Sequence, residues 1–214
     1  MPVGLRGRFA LAALVIALAT GAGYVAWRLA PADEAPRRTD AARLMNDLMS
    51  GKVPVGGPFT LTDQHGKRVG LTDFSGKIVM LYFGYTFCPD VCPTDLHAIA
   101  EMIQLLGVDG ARVQPVFVTL DPERDTPARL GPYVESFNPR FVALTGGAQE
   151  IREVATRYKV FYEKVQPPGA GYYMIDHTAF TFVIDARGNY AGFFPPGTGG
   201  ERMAALVRDL LAAK

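Results

Sequence analysis

The sequence predicts an α/β domain built on a central sheet, and three observations carry that prediction. Ile78–Gly84 is a continuous apolar run, as expected of a strand buried on both faces. Val113–Leu120 is a second such run. Between them Leu96, Ile99, Ala100, Ile103 and Leu106 recur at helical spacing, so Pro93 to Leu106 reads as a helix with one apolar face.

The other elements follow in order. Pro58–Thr62 and Arg68–Leu71 flank the turn signal Asp63-Gln64-His65-Gly66-Lys67 and read as a β-hairpin. Beyond the second apolar run, Pro127–Phe137 reads as a helix, Phe141–Leu144 as a strand and Ala148–Tyr158 as a helix. Thr181–Asp185 and Tyr190–Phe194 flank Ala186-Arg187-Gly188-Asn189, a second hairpin signal. Gly200–Ala213 closes the chain as an amphipathic helix, with Met203, Leu206, Val207, Leu210 and Leu211 expected inward. This is a thioredoxin-like order, with an N-terminal hairpin added and a further hairpin inserted before the last helix.

Before this domain the composition changes. Phe9 to Trp27 is 19 residues without a charge, close to the roughly 20 that span a bilayer as a helix. Arg6 and Arg8 precede it, which sets the N-terminus on the cytoplasmic side, and Tyr24 and Trp27 fall where aromatic belts sit. A cleaved signal peptide is the alternative, but its apolar core is usually shorter and no strong small-x-small site follows. Pro31 to Asp40 reads as a polar tether, and Ala41–Ser50 as a short helix. The expected organisation is a transmembrane segment over 1–30, a linker over 31–55 and a globular domain over 56–214.

Charge excludes one class of function. The net charge is +1, and residues 1–30 hold three arginines and no acid, which leaves 19 basic and 21 acidic residues elsewhere. No basic stripe interleaves with aromatics, so nucleic acid is not an expected partner.

Cysteine occurs only twice, as Cys88 and Cys92, inside Cys88-Pro89-Asp90-Val91-Cys92-Pro93. Two thiols in one loop do not staple a fold. They form one local disulfide or bind one soft metal ion. Redox pairs are usually Cys-x-x-Cys; three residues between the thiols let two sulfurs diverge around an ion, though they still permit a disulfide. Export of the domain would permit a disulfide too. Pro93 suits the first helical position, which makes Cys92 the expected cap, and the helix N-terminus should lower the thiol pKa values. In α/β sheets ligand sites gather at the carboxyl ends of strands, and Cys88 lies just past such an end.

His177 is the third candidate. Thioredoxins hold an extended thiol substrate with a cis-proline in the region before Thr181–Asp185; here that region reads His177-Thr178-Ala179. Two thiolates and an imidazole suit Cu(I) or Zn(II).

Four stretches resemble the Sco/SenC family of membrane-anchored copper-binding proteins. They are Gly57–Leu61, Tyr82–Pro93, Leu120-Asp121-Pro122-Glu123-Arg124-Asp125-Thr126-Pro127, and Asp176-His177-Thr178. The resemblance covers nearly all of 56–214 and the anchor. It implies one copper per chain, as Cu(I) or Cu(II), bound by Cys88, Cys92 and His177. It also implies delivery of copper or reductant to the CuA centre of cytochrome c oxidase subunit II, with other copper chaperones as further partners. The implied location is a bacterial inner membrane, with a single pass through residues 9–27 and the domain in the periplasm.

Two functions follow from the same thiols. One is a copper metallochaperone, a binding protein rather than an enzyme. The other is a thiol-disulfide oxidoreductase with Cys88 and Cys92 as its redox pair, reducing cysteines of the oxidase copper site. A peroxiredoxin needs Thr three residues and Pro seven residues before its reactive Cys, where Tyr85 and Leu81 stand. A copper or redox sensor needs a signalling partner that the few residues before the anchor do not supply. Among the remaining residues, Asp121 is read either as part of a turn or as a group that orients His177 or a docking partner. His65 reads as a turn residue and His97 as a helix-surface residue. Met174 is weighed as an axial ligand, and Tyr85 and Phe87 as walls of the site.

Overall fold

Two parallel strands, β3 (Ile78–Gly84) and β4 (Val113–Thr119), lie at the centre of a seven-stranded sheet, and every residue of both is buried. That is why neither shows polar alternation in sequence. The structure, a computed structural model, describes residues 52–212 and, ahead of them, Gly21 alone. The expected span over 9–27 and the expected helix Ala41–Ser50 therefore lie outside the described residues, Gly21 apart. Among the described residues no helix is long and apolar enough to cross a membrane.

The hairpin β1 (Thr60–Asp63) and β2 (Arg68–Gly70) forms one edge of the sheet. Its turn is set by Asp63, whose Oδ1 accepts the amides of His65 and Lys67, and by Gly66 at a φ of 83°, which favours glycine. Next come β5 (Val142–Thr145), then β4 and β3, then β8 (Thr181–Ile184) and β9 (Tyr190–Phe194) at the other edge. β3, β4 and β5 are mutually parallel, and β8 runs antiparallel to β3. This is the expected thioredoxin-like arrangement, with the N-terminal hairpin and the hairpin before the last helix both present.

Helices α1 (Val91–Leu105), α2 (Pro127–Glu135), α3 (Ala148–Arg157) and α4 (Gly200–Ala212) connect and cover the strands. Alternation along β3 divides the core. Tyr82 stacks on Phe117 at 6.4 Å between ring centroids, while its neighbour Phe83 packs on Tyr158 and Phe182 at 5.6 and 5.9 Å. Burial of both sets removes large apolar areas from water and fixes the ends of β3 and β4, where the site is built.

A separate two-stranded ribbon, β6 (Tyr162–Val165) with β7 (Met174–His177), was not expected. His177 therefore ends a strand rather than lying in an irregular loop, paired in register with Tyr162.

Candidate metal centre

The cysteine loop leaves β3 at Gly84 and reaches α1 within seven residues. The helix begins earlier than expected: Asp90 is the N-cap, Val91 the first helical residue and Cys92 lies inside the first turn. Pro93 fits there because the first amides of a helix have no partner within it, so a missing N–H costs nothing. The first ladder bond runs from the Thr94 amide to the Asp90 carbonyl at 3.3 Å, and the Thr94 hydroxyl donates to the same oxygen at 2.9 Å.

Both cysteines are free thiols; Cys92 is buried and Cys88 half-buried. The ribbon brings His177 over them, with Nε2 3.5 Å from the Cys92 Sγ. The two sulfurs and a ring nitrogen of His177 all lie within 4.8 Å of one another. Donors bound to one ion at about 2.3 Å for sulfur and about 2.0 Å for nitrogen lie roughly 3.5–4.5 Å apart, so the set fits a single soft cation. Cys88, Cys92 and His177, far apart in sequence, are thus brought together, and among the described residues they are the group of this kind with metal-holding geometry.

The two thiols are electrostatically unequal. The Cys88 thiol is pushed down to about 4, first by the hydrogen bond from Cys92; burial opposes this, and the amides of Asp90 and Cys92 assist. Cys92 is pushed up by the same hydrogen bond and by burial. The helix N-terminus acts as expected on Cys88, but as a minor contributor, and it does not lower Cys92. The reduced pair is one exposed-side thiolate and one buried thiol.

Aromatic rings wall the set. Tyr82 and Tyr85 present their rings edge-on to His177, with centroids at 6.4 and 5.9 Å. Tyr85 is buried, and its hydroxyl points to the Met174 sulfur at 4.0 Å. Phe87 is 41% exposed and packs on Tyr172 at 5.6 Å, so one wall reaches solvent. Beneath Cys92, the Tyr82 hydroxyl and one Asp95 oxygen are buried without a hydrogen-bond partner of normal geometry. Burial raises the pKa of both groups. The other Asp95 oxygen accepts the Gly197 amide at 2.8 Å.

Asp121 does not reach His177. It is buried, pairs with Arg124, and accepts the Tyr173 hydroxyl at 2.8 Å. Arg124 also donates to the Tyr173 carbonyl at 3.0 Å and lies over the Tyr173 and Phe87 rings. The segment after β4 therefore grips the ribbon next to β7. His65 sits in the β1–β2 turn. His97 is exposed on α1, with its ring against Phe137 at 4.8 Å and Nδ1 2.9 Å from the Pro93 carbonyl.

This fold and donor set define a thioredoxin-like protein whose cysteine loop and His177 could hold one metal ion, and comparison with known proteins specifies which. A sequence profile described as SCO1/SenC matches residues 48–212, and the chain belongs to that family. A SCO2-like protein of Rickettsia conorii is 38% identical over 164 residues, 76% of this chain and 80% of its own length. Among solved structures, Bradyrhizobium japonicum ScoI with copper bound is 42% identical, with a TM-score of 0.67 over 73% of this chain and 99% of that one. Arabidopsis thaliana ScoI with copper bound is 35% identical, with a TM-score of 0.70 over 75% of this chain and 99% of that one.

Proposed function

We propose that this protein is a membrane-anchored copper metallochaperone that binds one copper through Cys88, Cys92 and His177. It serves assembly of the CuA centre of cytochrome c oxidase, handing copper to subunit II and exchanging it with other copper chaperones. The observation that carries the reading is the convergence of two sulfurs and an imidazole nitrogen within 4.8 Å. Thiolate and imidazole favour Cu(I), and the imidazole extends the set to Cu(II). Family membership and the copper-bound relatives support the choice of copper over zinc. The oxidase as destination rests on the family resemblance. Arg6, Arg8 and the uncharged stretch 9–27 support a single pass in a bacterial inner membrane, with 31–55 as a tether and 56–214 in the periplasm.

The asymmetry of the thiols favours a second reading, reduction of the target's cysteines. The Cys88 thiolate attacks a disulfide sulfur of the target and forms a mixed disulfide. Cys92 then gives up its proton and displaces the target thiolate. The products are a reduced target and a Cys88–Cys92 disulfide.

Anaerobic copper titration of the reduced full-length chain in detergent tests the first reading. One tightly bound copper is expected, lost in Cys88→Ser because a neutral hydroxyl is a poor ligand for a soft ion. Stoichiometric copper in Cys88→Ser would sink the site.

A further inference from the structure

Asp125 touches no metal ligand, yet it is a fully buried charge beside the cysteine loop, 0% exposed. Its Oδ2 accepts the Thr86 amide at 2.9 Å and the Thr119 hydroxyl at 2.7 Å. Its Oδ1 accepts the Thr86 hydroxyl at 2.6 Å and lies 3.8 Å from the Arg129 Nε. A buried carboxylate is tolerated only when its lone pairs are filled. Here the donors come from two segments: Thr119 ends β4, and Thr86 opens the loop two residues before Cys88.

Neither hydroxyl has a free choice of partner. The Thr86 Oγ1 already accepts Arg129 Nε at 2.8 Å, and the Thr119 Oγ1 already accepts the Asp121 amide at 2.9 Å. Both hydroxyl hydrogens are directed to Asp125, so both of its oxygens must be acceptors. An asparagine offers only one.

We propose that Asp125 is a positioning residue for the thiols. By clamping Thr86 it fixes the point from which the cysteine loop departs, and so sets where Cys88 stands relative to Cys92. Only Phe87 to Asp90 separate the clamp from the start of α1, and the Cys88 amide is tied back to the Tyr85 carbonyl at 3.2 Å. Cys92 is placed independently, by the helix. The clamp therefore holds the pair as two separate thiols. A disulfide requires the sulfurs to close to about 2.05 Å, and that movement of Cys88 pulls against Thr86.

The consequence for copper rests on the function proposed above; the consequence for the thiols does not. In a glutathione buffer the dithiol reacts with one glutathione disulfide. The Cys88–Cys92 bond forms, the glutathione S–S bond breaks, and two electrons and two protons pass to give two glutathione thiols. That equilibrium is measured by thiol trapping on the full-length chain in detergent, for wild type, Asp125→Asn, Thr86→Val and the double variant. Each single change is expected to move the equilibrium constant toward the disulfide by about tenfold. The double is expected to match a single rather than to multiply, because the two residues form one clamp. Unchanged constants, or single effects that multiply in the double, overturn the proposal. If Asp125→Asn does not fold, Thr86→Val alone decides: a shift toward the disulfide supports the clamp and no shift overturns it. Copper titration of the same samples is read separately. A wild type that binds none overturns the copper site and leaves the thiol result standing.

Discussion

The imidazole of His177 faces the Cys92 sulfur with Nε2 at 3.5 Å and backs onto the Thr178 carbonyl with Nδ1 at 3.1 Å. A carbonyl only accepts, so Nδ1 carries the hydrogen. In the neutral ring Nε2 is then the lone-pair nitrogen, aimed at the sulfurs. An outer hydrogen bond of this kind orients a metal-binding histidine and selects its tautomer.

His177→Ala should therefore remove a ligand without unfolding the domain, since the half-buried ring ends an outlying ribbon. Cu(II) affinity should fall at least about tenfold, the lower range for loss of even an outer partner of a ligand. Cu(I) should weaken less, because two thiolates hold it. Paired titrations with each oxidation state check this. Unchanged Cu(II) affinity would show that the ring does not act as the Cu(II) ligand.

The inequality of the thiols predicts a pH profile. With its thiol pushed down to about 4, Cys88 is the thiolate of the pair near neutral pH, while Cys92, pushed up by the hydrogen bond with Cys88 and by burial, keeps its proton there. Alkylation of the reduced protein should occur first at Cys88, at a rate nearly flat from about pH 5.5 to 8, where an ordinary thiol accelerates about tenfold per unit. Lowering the pH through about 4 should quench it. The sign for stability follows. Below the ordinary thiol pKa the unfolded chain binds one more proton than the native pair, so the reduced fold gains stability as pH rises from about 4 toward 8. Cys88→Ser should flatten that slope. Mass-mapped alkylation and denaturation at several pH values provide both measurements.

The proposed anchor predicts a different behaviour for the whole chain. With Phe9–Trp27 uncleaved, full-length protein should stay in membranes through carbonate and high salt, and a reporter fused after Lys214 should be active only when exported. A soluble protein beginning near Ala22 or Pro31 would instead identify a cleaved signal.

Much of this organisation was legible because strong periodicity marks it. β3 and β4 announce themselves as apolar runs, and the hairpin turns by Asp63 and Asp185 with their following glycines. The ribbon that carries His177 does not. Tyr162–Val165 has Glu163 and Lys164 exposed at its centre, and Met174–His177 buries only Ile175. Neither strand has a core-facing stripe, and eight residues separate them, so neither alternation nor a short turn signals the pair. The start of α1 was misplaced for a local reason. The bias of a residue before proline against the helical region is real, but here it does not set the boundary: the helix starts at Val91, after an N-cap Asp90 that makes no side-chain capping bond. The inequality of the two thiols is not legible at all, because it comes from the hydrogen bond between them in the folded loop and from the deeper burial of Cys92. The role of Asp125 is hidden likewise: its partners, Thr86 and Thr119, lie 39 and 6 positions away.

Gly84 provides a test that joins the core to the site. A Cβ placed there would lie 2.8 Å from the Cys92 Sγ, 2.9 Å from Tyr82 Cε1 and 3.1 Å from Phe117 Cε2. The backbone has little freedom to retreat, since the Gly84 carbonyl accepts the Leu120 amide at 2.7 Å. Cys92, Tyr82 and Phe117 are all fully buried, so the added methyl crowds the sulfur together with the two rings. Gly84→Ala should cost about 1–3 kcal/mol through overpacking, offset by roughly 0.5 kcal/mol from the loss of glycine's unfolded-state entropy. It should lower the denaturation midpoint without changing the slope, and weaken metal binding by displacing Cys92. A double-mutant cycle isolates the contact. In a Cys92→Ala background the shortest clash is gone, so Gly84→Ala should cost measurably less there than in the wild type. An identical cost in both backgrounds would mean that the rings, and not the sulfur, require glycine at this position.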